Sequence, residues 1–207
     1  MDIWSAIEQE RAALVDALDA LPDDAWDLPS LCTGWRIRDV VAHLVVTAEM
    51  TPPRFFGAIA RSGFSFPRMT ANQIARVQGV APKPAELVAL LRARISTRNA
   101  PPGPTPSWLG ETVVHGEDVL RAVGGYGRHP VEHVTAVADF YRGSNLLIGS
   151  KRRIEGVTLT ATDTAWTHGT GPSVTGPAIA LLMAMTGRGT ALDDLTGDGV
   201  AVLRARL

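Results

Sequence analysis

Apolar positions recur at helical spacing through about residue 150 and then give way to alternation. Ile3, Ile7, Leu14, Leu18 and Leu21, with Trp4 and Arg11, mark a helix from about residue 2 to 21, ended by Pro22 and the acidic Asp23 and Asp24. A loop containing Pro29 and Gly34 leads to a second helix, expected from about Arg36 to Met50. Asp39 falls in its first turn, where a negative charge suits the helix N-terminus, and Pro52 and Pro53 stop it. Residues 54 to 79 predict one or two shorter helices, broken around Gly63 and Pro67. Pro84 and Glu86 open another, with Leu87, Leu90, Leu91 and Ile95 on its apolar face. The proline-rich run 100–106 reads as a stiff connector. It delivers the chain to a helix from about Ser107 to Val123, closed by Gly124 and Gly125. A last helix of this part is expected from about Val131 to Gly149.

Beyond Lys151 the period changes. Residues 157 to 162, Val-Thr-Leu-Thr-Ala-Thr, alternate and are rich in β-branched side chains, which predicts a strand. Trp166 and Val174 fall in candidate strands on either side of a turn at Gly169, Thr170 and Gly171. Gly176 and Pro177 open a helix through Ala180, Leu181, Leu182 and Met185 that ends at Gly187, and Val200 to Leu203 reads as a final strand. The expected class is therefore α+β: a helical bundle over residues 1–150 and a small α+β module over 151–207. The module is short for an independent core and is expected to pack on the bundle.

Composition narrows the function classes. A net charge of −1 and a pI of about 6.5, with no long basic run, argue against nucleic acid as the main partner. A single cysteine, Cys32, rules out an intramolecular disulfide and a cysteine-rich zinc module. No apolar run reaches the length of about 18 residues that a membrane span needs, and no signal peptide is evident. The expectation is a soluble, cytoplasmic protein without a membrane partner; oligomeric state is open.

The candidate chemistry lies in Glu111-Thr112-Val113-Val114-His115. Four residues apart on a helix, the carboxylate and the imidazole share one face. His43, within the apolar run Val40 to Val46, offers a third ligand. Two imidazoles and a carboxylate, with coordination positions left over, make a reactive site rather than a closed structural one. Two plainer readings stand beside it: a solvated Glu/His pair on an exposed helix, and a histidine satisfied within the core. An unpaired imidazole among those valines is costly to bury, and a shared cation satisfies all three groups.

Larger pieces carry a family resemblance. Leu31-Cys32-Thr33-Gly34-Trp35 leads to Asp39 and His43-Leu44; Glu111 to Asp118 is followed by Arg121 and Gly124; Gly176-Pro177-Ala178, Gly187-Arg188 and Gly197-Asp198 close the series. In order and spacing the chain resembles the mycothiol-dependent maleylpyruvate isomerase family of the wider DinB-like metal-binding superfamily. That resemblance implies a DinB-like four-helix-type bundle holding a divalent ion, zinc foremost, on His43, Glu111 and His115. It also implies mycothiol or a similar low-molecular-weight thiol as cofactor and an electrophilic small molecule as substrate. In the family reaction a metal-activated thiolate adds to a conjugated cis double bond, the resulting single bond rotates, and elimination leaves the trans isomer. Thiol S-transfer, metal-activated hydrolysis and non-catalytic binding are the alternatives on the same scaffold. Arg188, in the family's Gly-Arg position, is the candidate catalytic and cofactor-binding residue, through a carboxylate of substrate or thiol; its other reading is a charge on free helix-end carbonyls.

Other residues near these motifs have ambiguous roles. Asp118 is read either as a carboxylate orienting a ligand histidine or as a surface partner of Arg121. Trp108 is read as pocket lining or core, and Cys32 as packing rather than catalytic. His129, His133 and His168 fall in or near polar or loop segments and suggest no further metal cluster. Arg36 stands where a Ser or Thr helix cap is expected.

Overall fold

The computed structural model describes residues 1–146 and 148–207. The chain forms two compact units, Met1–Arg128 and His129–Leu207. Helix α1 (Ile3–Asp19) starts at Asp2, whose carboxylate accepts the Trp4 amide, and buries Ile7, Leu14, Val15 and Leu18. Helix α2 (Ile37–Glu49) has no Ser or Thr cap; instead the Asp39 carboxylate accepts the Arg36 amide at 2.8 Å. Pro52 and Pro53, expected only to stop α2, also begin α3 (Pro52–Arg61), because proline's missing N–H costs nothing in a helix's first turn. Helices α4 (Phe66–Val80), α5 (Pro84–Arg92) and α6 (Thr105–Leu120) start the same way. Pro106 of the connector is thus drawn into α6, which begins two residues earlier than expected.

Helices α1 and α2 each pack on both α5 and α6, giving a closed ring of four, and α4 covers a further side of α2. This explains why α2 is apolar nearly all round. Val40, Val41, Ala42, Leu44, Val45 and Val46 are all buried because neighbours stand on several sides. A helix so enclosed is a rigid mount for the one imidazole it carries.

In the second unit, α7 (Val131–Arg142) ends well before the expected Gly149; Leu147 of that span lies outside the described residues. Sequence spacing groups this helix with the bundle, whereas its contacts are with α9 (Ala178–Met185) of its own unit, across a boundary at 128/129. After the short α8 (Ser150–Arg153), strands β1 (Thr158–Ala161), β2 (Thr167–Gly169) and β3 (Ser173–Gly176) form a sheet of order β2-β1-β3. β1 pairs antiparallel with β2 and parallel with β3. Gly169 sits at φ +85° with the Val157 carbonyl where a side chain would be, so glycine is required there. α9 is buried along almost its whole length and packs against β1 and β3. The final strand expected at Val200 to Leu203 is instead α10 (Gly199–Arg204). Val200 to Leu203 is a short apolar run with no strict alternation, so periodicity alone does not separate the two states. Helices with a small sheet make the chain α+β. No described helix is long and apolar enough to cross a membrane.

One buried cation ties the first unit together. Arg11 is 4% exposed, and its Nη1 donates to the carbonyls of Arg94 (3.2 Å) and Thr97 (2.9 Å), fastening the turn after α5 to α1. Burial pushes its pKa down to about 10, still well above neutrality. Arg11→Ala is expected to lower stability by about 2–3 kcal/mol, the scale of hydrogen bonds to a buried charge. Arg11→Met, which restores the stem alone, should recover only part of this. Urea unfolding of the three proteins checks both.

Candidate metal centre

α2 carries His43 and α6 carries Glu111 and His115, one turn apart on the face turned to α2. His43 Nε2 lies 3.0 Å from Glu111 Oε2, and His115 Nε2 lies 3.4 Å from the same oxygen. The imidazole rings meet edge-on with centroids 5.2 Å apart. One ligand atom from each residue can be chosen so that all lie within 4.8 Å of one another. The three side chains are partly exposed, at 17%, 23% and 13%, so the cluster is walled by the bundle and open on one side.

The outer nitrogen of His115 is firmly held. Its Nδ1 lies 2.9 Å from Oδ2 of Asp118, which has no exposed surface. With Nδ1 donating to that carboxylate, Nε2 is the nitrogen turned to the cluster, and it offers a lone pair to a cation once its own proton has left. The Cys32 thiol donates to the same Oδ2 at 3.0 Å and stands 3.4 Å from Nδ1. The loop before α2 brings it there. The Leu31 amide donates to the Asp118 carbonyl, and the Cys32 amide to Ser30 Oγ. The Trp35 amide closes a turn on the Cys32 carbonyl. That turn sets the Trp35 ring against both histidines, at centroid distances of 5.1 Å to His43 and 6.3 Å to His115.

The electrostatics follow. Burial alone would raise the Glu111 carboxyl. Hydrogen bonds from His115 and His43, with their charges, outweigh it and hold the group well below the usual carboxylate range. Burial alone would also disfavour a charged His115 ring. Its bonds to Asp118, Cys32 and Glu111, and the Glu111 charge, outweigh that and raise it well above 6.5. Without an ion, the charged His115 ring and the Glu111 carboxylate stabilise one another.

These residues fit a divalent cation chemically: two imidazole nitrogens and a carboxylate oxygen converge, and one histidine is anchored from behind. His43 lacks that anchor, since its Nδ1 is buried with no hydrogen-bond partner among the described residues. Cys32, His115 and Asp118 form a second convergent group behind the first, sharing His115.

Asp118 is wholly buried rather than at the surface, with Oδ2 against His115 Nδ1, and Arg121 Nε donates to Glu117. Trp108 packs over Gly103, where an added Cβ would lie 2.8 Å from its ring. Trp35 is the indole at the cluster, a placement that spacing did not reveal because it depends on the loop before α2. Cys32 packs beside the apolar core and also joins the Asp118 carboxylate. His133, expected in a polar segment, is buried on α7. Arg188 lies in the second unit, where its Nη1 donates to the Thr186 carbonyl at 2.8 Å, just past the end of α9.

A ring of helices with a His/Glu/His cluster on two facing members, followed by a small α+β unit, defines the class of protein. Residues 7–120 match the family described as the mycothiol maleylpyruvate isomerase N-terminal domain, and the chain belongs to that family. Two solved structures share the fold: the mycothiol-dependent maleylpyruvate isomerase and a histidine-to-alanine mutant of it. Each has a TM-score of 0.60 and 14% identity, over 95% of this chain and 92% of the other. No curated protein sequence matches.

The two pKa shifts set a pH window for the metal-free protein. The raised His115 value adds stability that is complete below 6.5 and is lost as pH rises through the folded-state value above it. The lowered Glu111 value adds stability present above 4.5 and lost as pH falls. Chelator-treated protein should therefore be most stable between those values, and His115→Asn should flatten the alkaline limb. Equal thermal midpoints for chelated native protein across that limb would contradict the assignment.

Proposed function

We propose that this chain is a metal-dependent enzyme that uses a low-molecular-weight thiol, mycothiol or a close analogue, to isomerise a maleylpyruvate-like conjugated substrate by reversible thiol addition. The observation that carries this reading is the convergence of His43, Glu111 and His115 on one half-open point, in a chain of this family. The fold likeness to the mycothiol-dependent maleylpyruvate isomerase supports it. A zinc-like ion held by these three residues would supply the positive charge that lowers the pKa of an incoming thiol.

The chain's own residues have distinct parts. His43 and His115 present Nε2, and Glu111 balances charge and bridges the two helices. Asp118 keeps the proton of His115 on Nδ1. Trp35 sets its ring beside both imidazoles on one side. Arg188 is assigned to bind a carboxylate of substrate or thiol, as a bidentate guanidinium does well.

Elemental analysis of purified protein tests the centre. About one divalent ion per chain is expected, as in catalytic sites with three protein ligands. His43→Ala, Glu111→Ala and His115→Ala should each lose the ion while keeping their helical circular dichroism. Asp118→Ala should bind it about 10–100-fold more weakly. Full retention of metal in all three ligand variants would refute the centre.

A second experiment addresses the thiol. Arg188→Ala should keep its metal but bind thiol or substrate more weakly in titration calorimetry. Unchanged binding would remove Arg188 from thiol and substrate recognition.

A further inference from the structure

Between Glu49 and Glu86 the chain contains no acidic residue, yet it carries Arg54, Arg61, Arg68, Arg76 and Lys83. In a protein of net charge −1 this is a marked local excess. The fold gathers much of it at one place. A cavity of about 700 Å³ in the first unit is lined by Arg54 and Arg61 of α3, Arg76 of α4 and Arg94 beyond α5. Glu49, at the end of α2, is the one carboxylate in its wall. Four guanidiniums against one carboxylate leave a net charge of +3 around the space. None of His43, Glu111 or His115 lines it.

The arginines are arranged, not merely present. Both oxygens of Glu49 are engaged, one by Arg76 and the other by Arg94. Gln73 Oε1 accepts Arg76 Nε at 3.1 Å, and the Leu90 carbonyl accepts Arg94 Nη1. The turn carrying Arg94 and Thr97 is fixed from behind by the buried Arg11. Arg54 donates to the Glu49 carbonyl at 3.1 Å. Arg61 lies back over Gly57, where the missing side chain leaves it room. It has no ion pair or hydrogen bond among the described residues. Val46, Ala48 and Met50 add an apolar part to the wall.

We propose that this arginine-lined cavity binds a small organic polyanion, a molecule with two or more closely spaced oxyanion groups and a short apolar portion. Guanidinium forks match carboxylate and phosphate oxygens alike. The volume suits a small molecule. The charge excess favours a ligand with several negative charges over one with a single charge. The site stands independently of the metal-centre assignment.

Titration calorimetry of the full chain at low ionic strength provides the test, with inorganic pyrophosphate as one probe and tricarballylate as the other. Saturable binding of at least one is expected, weakening steeply as salt shortens the screening length. Which probe binds distinguishes a phosphate-bearing ligand from a multiply carboxylated one. Arg61→Glu alone and the Arg54→Ser/Arg61→Ser pair should each weaken binding at least about tenfold, the scale of losing one charge-assisted contact. Arg92→Ser, on α5 but outside the cavity, and His115→Ala should leave it unchanged. No saturable binding of either probe, or equal binding in the Arg61 variants, would overturn the proposal. Loss of binding in His115→Ala would move the anion to the other site and overturn it equally.

Discussion

The contact between His43 Nε2 and Glu111 Oε2, at 3.0 Å, is the constraint around which the first unit is organised. α2 is enclosed by α4, α5 and α6, so its residues are apolar on nearly every side. A polar ring on such a helix must meet a partner on a neighbouring one. Glu111 supplies that partner from α6 and thereby fixes the register of the two helices at this level. A slide of one helical turn, about 5.4 Å, would break it and leave a carboxylate and an imidazole facing valines.

The polar groups behind this contact continue it in one direction. His115 shares the Glu111 oxygen on its inner side and is held by Asp118 on its outer side, and the Cys32 thiol also donates to Asp118. Each member satisfies the next, so the buried Asp118 carboxylate is not left without donors. The asymmetry between the histidines has a mechanical consequence. His115 is clamped at both nitrogens, whereas His43 is held at Nε2 and by the packing of α2. Positional precision at the centre therefore comes mainly from α6 and the loop that docks on it, and enclosure supplies the rest.

This explains which parts were legible in the sequence. The Glu111/His115 pair was visible because i, i+4 spacing is a local rule, and His43 because an imidazole amid valines calls for a partner. The helices α1, α2, α5 and α6 followed from apolar periodicity. Trp35 and the Cys32–Asp118 bond were not visible, since both depend on the Leu31 amide finding the Asp118 carbonyl 87 residues along the chain. α10 was misread because a run as short as Val200 to Leu203 satisfies either period, and its surroundings decide. The early end of α7 and its grouping with the second unit are likewise set by packing on α9.

The same enclosure of α2 shapes the charge distribution of the first unit. α2 reaches solvent mainly at its ends, and its last residue, Glu49, is half-buried at the C-terminal one. A carboxylate there is opposed by the negative end of the helix dipole and requires cations. Arg76 and Arg94 meet that need on its two oxygens, which draws α4 and the turn after α5 together over the end of α2. Arg54 and Arg61 of α3 exceed what Glu49 needs. Local charge balance thus accounts for two of the four arginines, Arg54 meets the Glu49 carbonyl at the end of α2, and Arg61 is the one that structural needs leave unexplained. The contrast with the His/Glu/His centre is chemical. There, carboxylates and imidazoles converge and their mutual balance invites a cation; here, guanidiniums converge and the imbalance invites an anion.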